Sequence, residues 1–238
     1  TGANGTAWIT GTTSSFGLPT VNAAQNVLLG AFDCFAAQIS ADGTSLLLST
    51  YVGGMGSESC YVIRTDANGN AIIAGSSASP DFPATTGAYQ VARSGSYDNV
   101  LFQVDPTSGN LSFASYLGGT QTEAPTSLFQ DHSGNWCLAG YTLSTDFPIV
   151  EAIQSHLAGS LDGFLSCLSN DGENLVFSTY LGGTEEDRIT SAVENPGGMT
   201  LLTGLTHSGN FPVTVAALQS VPNGNGDAFL TAIDRSSL

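Results

Sequence analysis

Four aspartates recur at a constant spacing and are the residues most able to act together chemically. Each begins a run of alternating apolar residues, and together they are Asp33, Asp98, Asp162 and Asp227. Carboxylate oxygens are ligands for Ca²⁺ and other hard cations, so four aspartates around one axis are candidate metal ligands. Alternatively, each accepts backbone N–H bonds where a loop enters a strand. The sequence favours this structural role, because repeated polar residues in repeat proteins usually serve the fold.

A second acidic group comprises Glu185, Glu186 and Asp187, which follow a Gly-Gly pair. The two equivalent positions elsewhere read Gly-Ser-Glu at 56–58 and Gln-Thr-Glu at 121–123. Paired carboxylates can supply the acid and the base of glycoside hydrolysis, so these three residues are candidate catalytic groups. A solvated acidic loop is the simpler interpretation, and it is the one we favour.

Other motifs give little support for catalysis. His132, His156 and His207 occupy different positions within the repeat, and neither HExxH nor GxSxG occurs. The Asp/Asn/Gly segments at 66–70 and 131–135 resemble calcium loops, but they lack EF-hand spacing and suit hairpin turns.

All of these residues belong to a unit of about 64 residues that recurs about three and a half times. STYVGG at 49–54 returns as ASYLGG at 114–119 and as STYLGG at 178–183. The first complete unit predicts strands at 33–40, 45–52, 60–66 and 70–77, joined by short turns. The repeat therefore predicts complete four-stranded units and single strands at the two ends. The complete units are 33–77, 98–142 and 162–206, and the single strands are 5–13 and 227–234.

Antiparallel four-stranded sheets repeated at this period predict an all-β fold, a β-propeller built from four-stranded blades. A propeller packs each sheet against its neighbours and leaves only short, protected edges. DAF at 227–229, STYLGG at 178–183 and DFP followed by Gln resemble the bacterial seven-bladed β-propeller repeat family, SBBP. The resemblance covers essentially the whole chain and implies a secreted or surface-exposed bacterial protein without implying one activity. We expect residues 1–238 to be one propeller segment, part of a larger propeller or completed by another chain.

The composition limits the classes of molecule that the protein is expected to bind. Twenty Asp and Glu against four Arg give a formal net charge of −16, which disfavours nucleic acid and anionic membrane surfaces as partners. No apolar stretch approaches the length of a membrane helix. The four cysteines lack CxxC spacing, so we predict buried free thiols in preference to one or two disulfides.

Two functions remain open. The first is a non-catalytic extracellular module, structural or contacting proteins or glycans, with self-association or completion by further blades. The second is a propeller enzyme or lectin acting on carbohydrate at the channel mouth, lined by the acidic residues and by Tyr51, Tyr116 and Tyr180. A functional site should break the repeat symmetry with polar residues converging in one pocket. No cofactor is expected apart from Ca²⁺ at the four aspartates.

Overall fold

A computed structural model describes residues 5–235 of the chain and shows an all-β architecture. These residues form fourteen strands and no α-helix. In chain order, they are β1 (Ala7–Thr13), β2 (Asp33–Ile39), β3 (Leu46–Val52), β4 (Glu58–Thr65), β5 (Ala71–Ser77), β6 (Asp98–Val104), β7 (Leu111–Leu117), β8 (Glu123–Gln130), β9 (Trp136–Thr142), β10 (Asp162–Leu168), β11 (Leu175–Leu181), β12 (Asp187–Glu194), β13 (Met199–Thr206) and β14 (Asp227–Asp234). The described part of the chain therefore also contains no helix that could span a membrane.

The strands form four antiparallel sheets. Sheet 1 has the order β1-β2-β3, and sheet 2 has the order β4-β5-β6-β7. Sheet 3 has the order β11-β10-β9-β8, and sheet 4 has the order β12-β13-β14. Each of the four sequence-predicted strands of the first complete unit lies within one or two residues of an observed strand.

The predicted grouping of strands into blades is wrong by half a repeat. The segment 33–77 was expected to form one sheet, but β2 and β3 belong to sheet 1 whereas β4 and β5 belong to sheet 2. Likewise 98–142 and 162–206 are each divided between two sheets, and the predicted single strands 5–13 and 227–234 pair with β2 and β13. The long connection at 78–97 joins neighbouring strands of one sheet, because β5 and β6 pair along their whole length.

The Gly-Gly turn after β3 carries the chain from one sheet to the next. A Cβ atom on Gly53 would lie 2.5 Å from Glu58 Oε2 and 2.6 Å from Asp33 Cγ. Such distances are far below van der Waals contact, so only glycine lets the turn fold over these carboxylates. Because β3 belongs to sheet 1 and β4 to sheet 2, the turn crosses between sheets and is not a hairpin.

Two compact units each contain two sheets. Unit 1 comprises the described residues up to 117 together with 171–173, and unit 2 comprises 118–170 with the described residues from 174. In unit 1 the apolar faces of sheets 1 and 2 share one core, with Leu48 and Val52 from one sheet and Ile73 and Phe102 from the other. Sheets 3 and 4 of unit 2 share a core in the same way, with Leu165 and Leu202 among its residues.

The four cysteines form two disulfides, so the prediction of free thiols is wrong. Cys137 and Cys167 lie directly opposite each other in the β9–β10 register, with Cα atoms 4.0 Å apart. Cys34 on β2 and Cys60 on β4 join sheet 1 to sheet 2, with Cα atoms 5.4 Å apart. Disulfides persist in oxidising compartments, so the pairing indicates an environment of the extracellular type.

Candidate functional site

Three of the four recurring aspartates are buried in cages of hydrogen-bond donors. Asp33 accepts bonds from the Gln25 side-chain amide at 2.7 Å and from the backbone N–H groups of Leu29 at 3.1 Å and Gly30 at 3.2 Å. Asp98 and Asp162 repeat this pattern with a glutamine amide and two backbone N–H groups each. Each carboxylate thus anchors the loop that leads into its own strand.

Asp227 is the exception, because it is only partly buried and accepts a bond from Asn223 N at 2.7 Å. None of the four aspartates falls in the one group of three or more metal-type side chains found among the described residues. That group is Asp131, Cys137 and Cys167, and its two sulfur atoms are joined in a disulfide. Because a cysteine must be a thiolate to bind a metal ion, these sulfurs are not donors in the oxidised protein.

A second set of buried carboxylates, Glu58, Glu123 and Asp187, begins β4, β8 and β12. Glu58 accepts bonds from the hydroxyls of Ser77 and Ser79 and from Gly54 N at 2.9 Å. Burial raises the pKa of Glu58, and the nearby charge of Asp33 adds to the rise. Burial likewise raises the pKa of Asp98 and of Asp162. The structure therefore holds these carboxyls at an electrostatic cost, which the donor cages reduce without cancelling it.

The three acidic residues at 185–187 do not converge. Asp187 is fully buried, and its Oδ2 accepts bonds from Gly183 N at 2.6 Å and from the Ser208 hydroxyl at 2.7 Å. Glu185 and Glu186 are exposed, and Glu186 forms an ion pair with Arg188 at 3.3 Å. One carboxylate of the candidate set thus serves the fold while the other two face solvent.

The recurring tyrosines are also committed to the fold. The hydroxyls of Tyr51, Tyr116 and Tyr180 donate to the carbonyls of Ser15, Ser79 and Ser144, respectively. Each hydroxyl also accepts a backbone N–H, from Leu18, Phe82 and Phe147 in turn. Burial raises the pKa of Tyr116 and Tyr180 to about 12. With their rings buried and their hydroxyls paired, these tyrosines present no surface to a sugar.

One cavity in unit 2 departs from the repeat and is the candidate functional site. It has a volume of about 330 Å³, and Asp131, His132, Phe177 and Arg235 are among its lining residues. The Arg235 guanidinium contacts Asp131 Oδ2 at 3.1 Å and Glu194 Oε2 at 2.7 Å. The equivalents of Arg235 in two other copies are Ala41 and Asn170. Of these three equivalent residues, only Arg235 carries a positive charge, and it binds both carboxylates.

The electrostatics of this cavity keep Asp131 in its ionised form. Burial opposes ionisation of Asp131, but hydrogen bonds from Asn135 and the charge of Arg235 outweigh it and hold its pKa below the usual range. His132 Nδ1 lies 2.8 Å from Glu194 Oε1, with its side chain 70% exposed. Since the bonds from Asn135 and the charge of Arg235 keep Asp131 ionised, Asp131 is unsuited to act as a general acid near neutral pH.

The sequence predicts a turn at 131–135 and gives no role to Arg235, one of the four arginines. The turn is confirmed, since Asp131 accepts backbone bonds from Ser133 and Asn135. The cavity was missed because Asp131 and Arg235 are 104 positions apart. Two signals were present in the sequence: Arg235 and Glu194 each replace an uncharged residue of the aligned copies, Asn170 and Gln130.

Comparison of the chain with protein-family models and with curated protein sequences gives no match in either set.

Proposed function

We propose that the chain is a non-catalytic β-propeller module of a secreted or cell-surface bacterial protein. Its role is structural, or it presents loops to protein or glycan partners. The observation that carries the proposal is that the recurring polar residues are used inside the fold. Asp33, Asp98 and Asp162 each bind two backbone N–H groups and a glutamine amide, and the same cage returns in each of these copies. Groups committed in this way are not free to bind a substrate.

Several features support the finer parts of this proposal. Four antiparallel sheets built from one recurring sequence unit are the elements from which a propeller is assembled. The resemblance of the DAF, STYLGG and DFP motifs to the SBBP family supports the same arrangement and the bacterial surface location. The two disulfides suit a protein exposed to an oxidising exterior.

A second candidate function is binding of a carbohydrate, or its hydrolysis, at the cavity beside Arg235. The observation in its favour is the convergence of Asp131, Glu194 and Arg235 at a place where the repeat symmetry is broken. The exposed ring of His132 adds a polar group at the same cavity.

The test begins with Asp162→Asn, which places an amide NH₂ among the donors that now bind the carboxylate. If the aspartate is structural, the variant should lose roughly 1–3 kcal/mol of unfolding free energy in the absence of any ligand. Glu185→Gln is the matched control, because Glu185 is exposed, and its stability should equal that of the wild type. The measurement is urea denaturation with and without Ca²⁺.

A rise in the wild-type midpoint with Ca²⁺ that is absent from Asp162→Asn would replace the structural role with a metal site. Glycan binding and glycosidase assays complete the test. Hydrolysis that disappears in Glu185→Gln or Glu186→Gln would refute a non-catalytic module. Glycan binding or hydrolysis lost in Asp131→Asn would favour the second candidate.

A further inference from the structure

The outer edge of β14 lacks the neighbour that its counterparts have. β2, β6 and β10 begin with the recurring aspartate, as β14 does, and each lies between two strands of its sheet. Their partners on the second side are β3, β7 and β11, which contain the STYVGG, ASYLGG and STYLGG segments. β14 pairs with β13, and no described strand pairs with its other edge. Leu230 on β14 is 75% exposed, whereas its counterparts Leu101 and Leu165 are fully buried.

The three partner strands are held by one set of contacts with the loop before the recurring aspartate. In β7, the Tyr116 N–H donates to Gln90 O at 3.0 Å, and the Ser115 hydroxyl accepts from Gln90 N at 3.1 Å. β3 and β11 make the same two contacts with Gln25 and Gln154. In all three, the tyrosine hydroxyl inserts between a serine carbonyl and a backbone N–H three residues later.

The fourth loop has a turn in common with the loop before Asp98, but no such strand lies against it. Residues 210–227 align without gaps with 81–98, and both contain the same turn, with Ala88 N donating to Thr85 O and Ala217 N to Thr214 O. Ser208 and Phe211 stand where Ser79 and Phe82 bracket the Tyr116 hydroxyl. In the fourth loop, Phe211 N donates directly to Ser208 O at 3.2 Å. Ser208 O and Phe211 N, whose counterparts bind a tyrosine hydroxyl, are thus hydrogen-bonded to each other.

The orientation of the β14 backbone follows from the same comparison. The Tyr116 N–H points away from β6, so Val100, opposite Tyr116, directs its own backbone groups toward β5. Phe229 is the counterpart of Val100 and pairs with Gly204 of β13. By alternation along the strand, Ala228, Leu230 and Ala232 direct their N–H and C=O groups to the unpaired edge.

We propose that this edge and residues 208–219, here called the acceptor edge, bind an extended segment of the form (Leu/Phe)-(Ser/Ala)-(Ser/Thr)-Tyr-(Val/Leu)-Gly-Gly, antiparallel to β14. The segment comes from a further unit of the same repeat. Its backbone pairs with Ala228, Leu230 and Ala232, and its tyrosine hydroxyl enters between Ser208 O and Phe211 N. This inference names the partner left general in the proposed function, and it does not require the sheets to close into a propeller.

The choice of occupant rests on the three equivalent surfaces, each of which holds a strand of this pattern. A second copy of the described chain is a poorer candidate, since its own β3, β7 and β11 already pair with β2, β6 and β10. β-Strand addition of this kind gains affinity from main-chain bonds and specificity from alternate side chains. Here the tyrosine is the specificity-determining side chain.

The test uses a synthetic peptide with the sequence of residues 175–184, LVFSTYLGGT, flanked by solubilising residues. Binding to the full chain is measured by fluorescence anisotropy, and hydrogen exchange is followed by NMR. We expect binding, with new protection of the amides of Ala228, Leu230 and Ala232. The amides of Phe229 and Thr231 face β13 and should be protected with or without peptide. A peptide with Phe in place of Tyr should bind about tenfold more weakly, because it leaves Ser208 O and Phe211 N without the hydroxyl.

The matched protein variants are Leu230→Pro and Leu230→Thr. Proline removes an outward N–H and is tolerated on an edge strand, so the variant should fold but lose binding. Threonine keeps that N–H and should retain most of the binding. Absence of peptide binding by the folded wild type at millimolar concentration would overturn the proposal. Equal binding of the Tyr and Phe peptides, protection outside the acceptor edge, or dimerisation through β14 that excludes the peptide would also overturn it. None of these outcomes would bear on whether the module is catalytic.

Discussion

Removing either disulfide should destabilise the unit that contains it and leave the other unit unchanged. The perturbations are the double variants Cys34→Ala/Cys60→Ala in unit 1 and Cys137→Ala/Cys167→Ala in unit 2. The cysteines of each pair are 26 and 30 positions apart in the sequence. In the chain-entropy model, closing loops of this size stabilises the folded state by about 3.5 kcal/mol each. The similar loop lengths predict similar losses.

The two tryptophans allow each unit to be followed separately. Trp8 lies in β1 of unit 1, and Trp136 lies in β9 of unit 2. Variants carrying Trp8→Phe or Trp136→Phe leave one reporter, and urea denaturation monitored by fluorescence then gives one midpoint for each unit. We expect the Cys34→Ala/Cys60→Ala change to lower the midpoint reported by Trp8 and the other double change to lower the midpoint reported by Trp136.

Reduction of the otherwise wild-type protein by a thiol reagent should lower both midpoints, and the corresponding double variant should be insensitive to the reagent. Midpoints that do not move on reduction would refute the stabilising role of the disulfides. They would also remove the structural argument for an oxidising environment.

Two further predictions concern the buried polar groups. The pKa values of Glu58, Asp98 and Asp162 are raised by burial, so the folded state binds more protons than the unfolded state and stability should rise as pH falls from 7 to about 5. The pKa values of Asp131 and Asp146 are lowered, and their contribution to stability is lost only below about pH 4. Thermal unfolding across this range should therefore show the highest melting temperature in mild acid. The melting temperature should change less steeply with pH in Glu58→Gln than in Glu185→Gln. Tyr180→Phe should cost roughly 1–3 kcal/mol, because Ser144 O and Phe147 N lose their shared partner. Tyr97→Phe, at a residue that is 38% exposed, should change the unfolding free energy by less than about 0.5 kcal/mol in the same denaturation assay, and equal losses would contradict this account.

The repeat predicted strand positions well because local alternation and turn residues determine where a strand begins and ends. It could not show how strands are grouped, because a period has no starting point. The same landmarks fit sheets that begin at Asp33 and sheets that begin at Glu58. The choice depends on which connection crosses between sheets, and here it is the short Gly53-Gly54 turn, not the long segment 78–97. Sequence rules that assign short connections to hairpins point the other way.

The candidate site was only partly accessible from sequence for a related reason. The recurring aspartates were correctly expected to bind backbone N–H groups, because that role depends on nearby residues. The disulfide Cys137–Cys167 depends on the β9–β10 register across a long loop. The contact of Arg235 with Asp131 depends on the packing of sheet 4 against sheet 3. Neither the disulfide nor this contact can be predicted from a local sequence pattern.

Sheets 2 and 3 are each assembled from the second half of one sequence unit and the first half of the next. Each of these two sheets therefore joins consecutive sequence units by backbone pairing of their strands. Whole repeats can be gained or lost at any cutting point without changing the pattern of strands. A truncation that preserves complete sheets must instead cut at the glycine turns, between 53 and 57, 118 and 122, or 182 and 186, where no ladder of backbone bonds is severed.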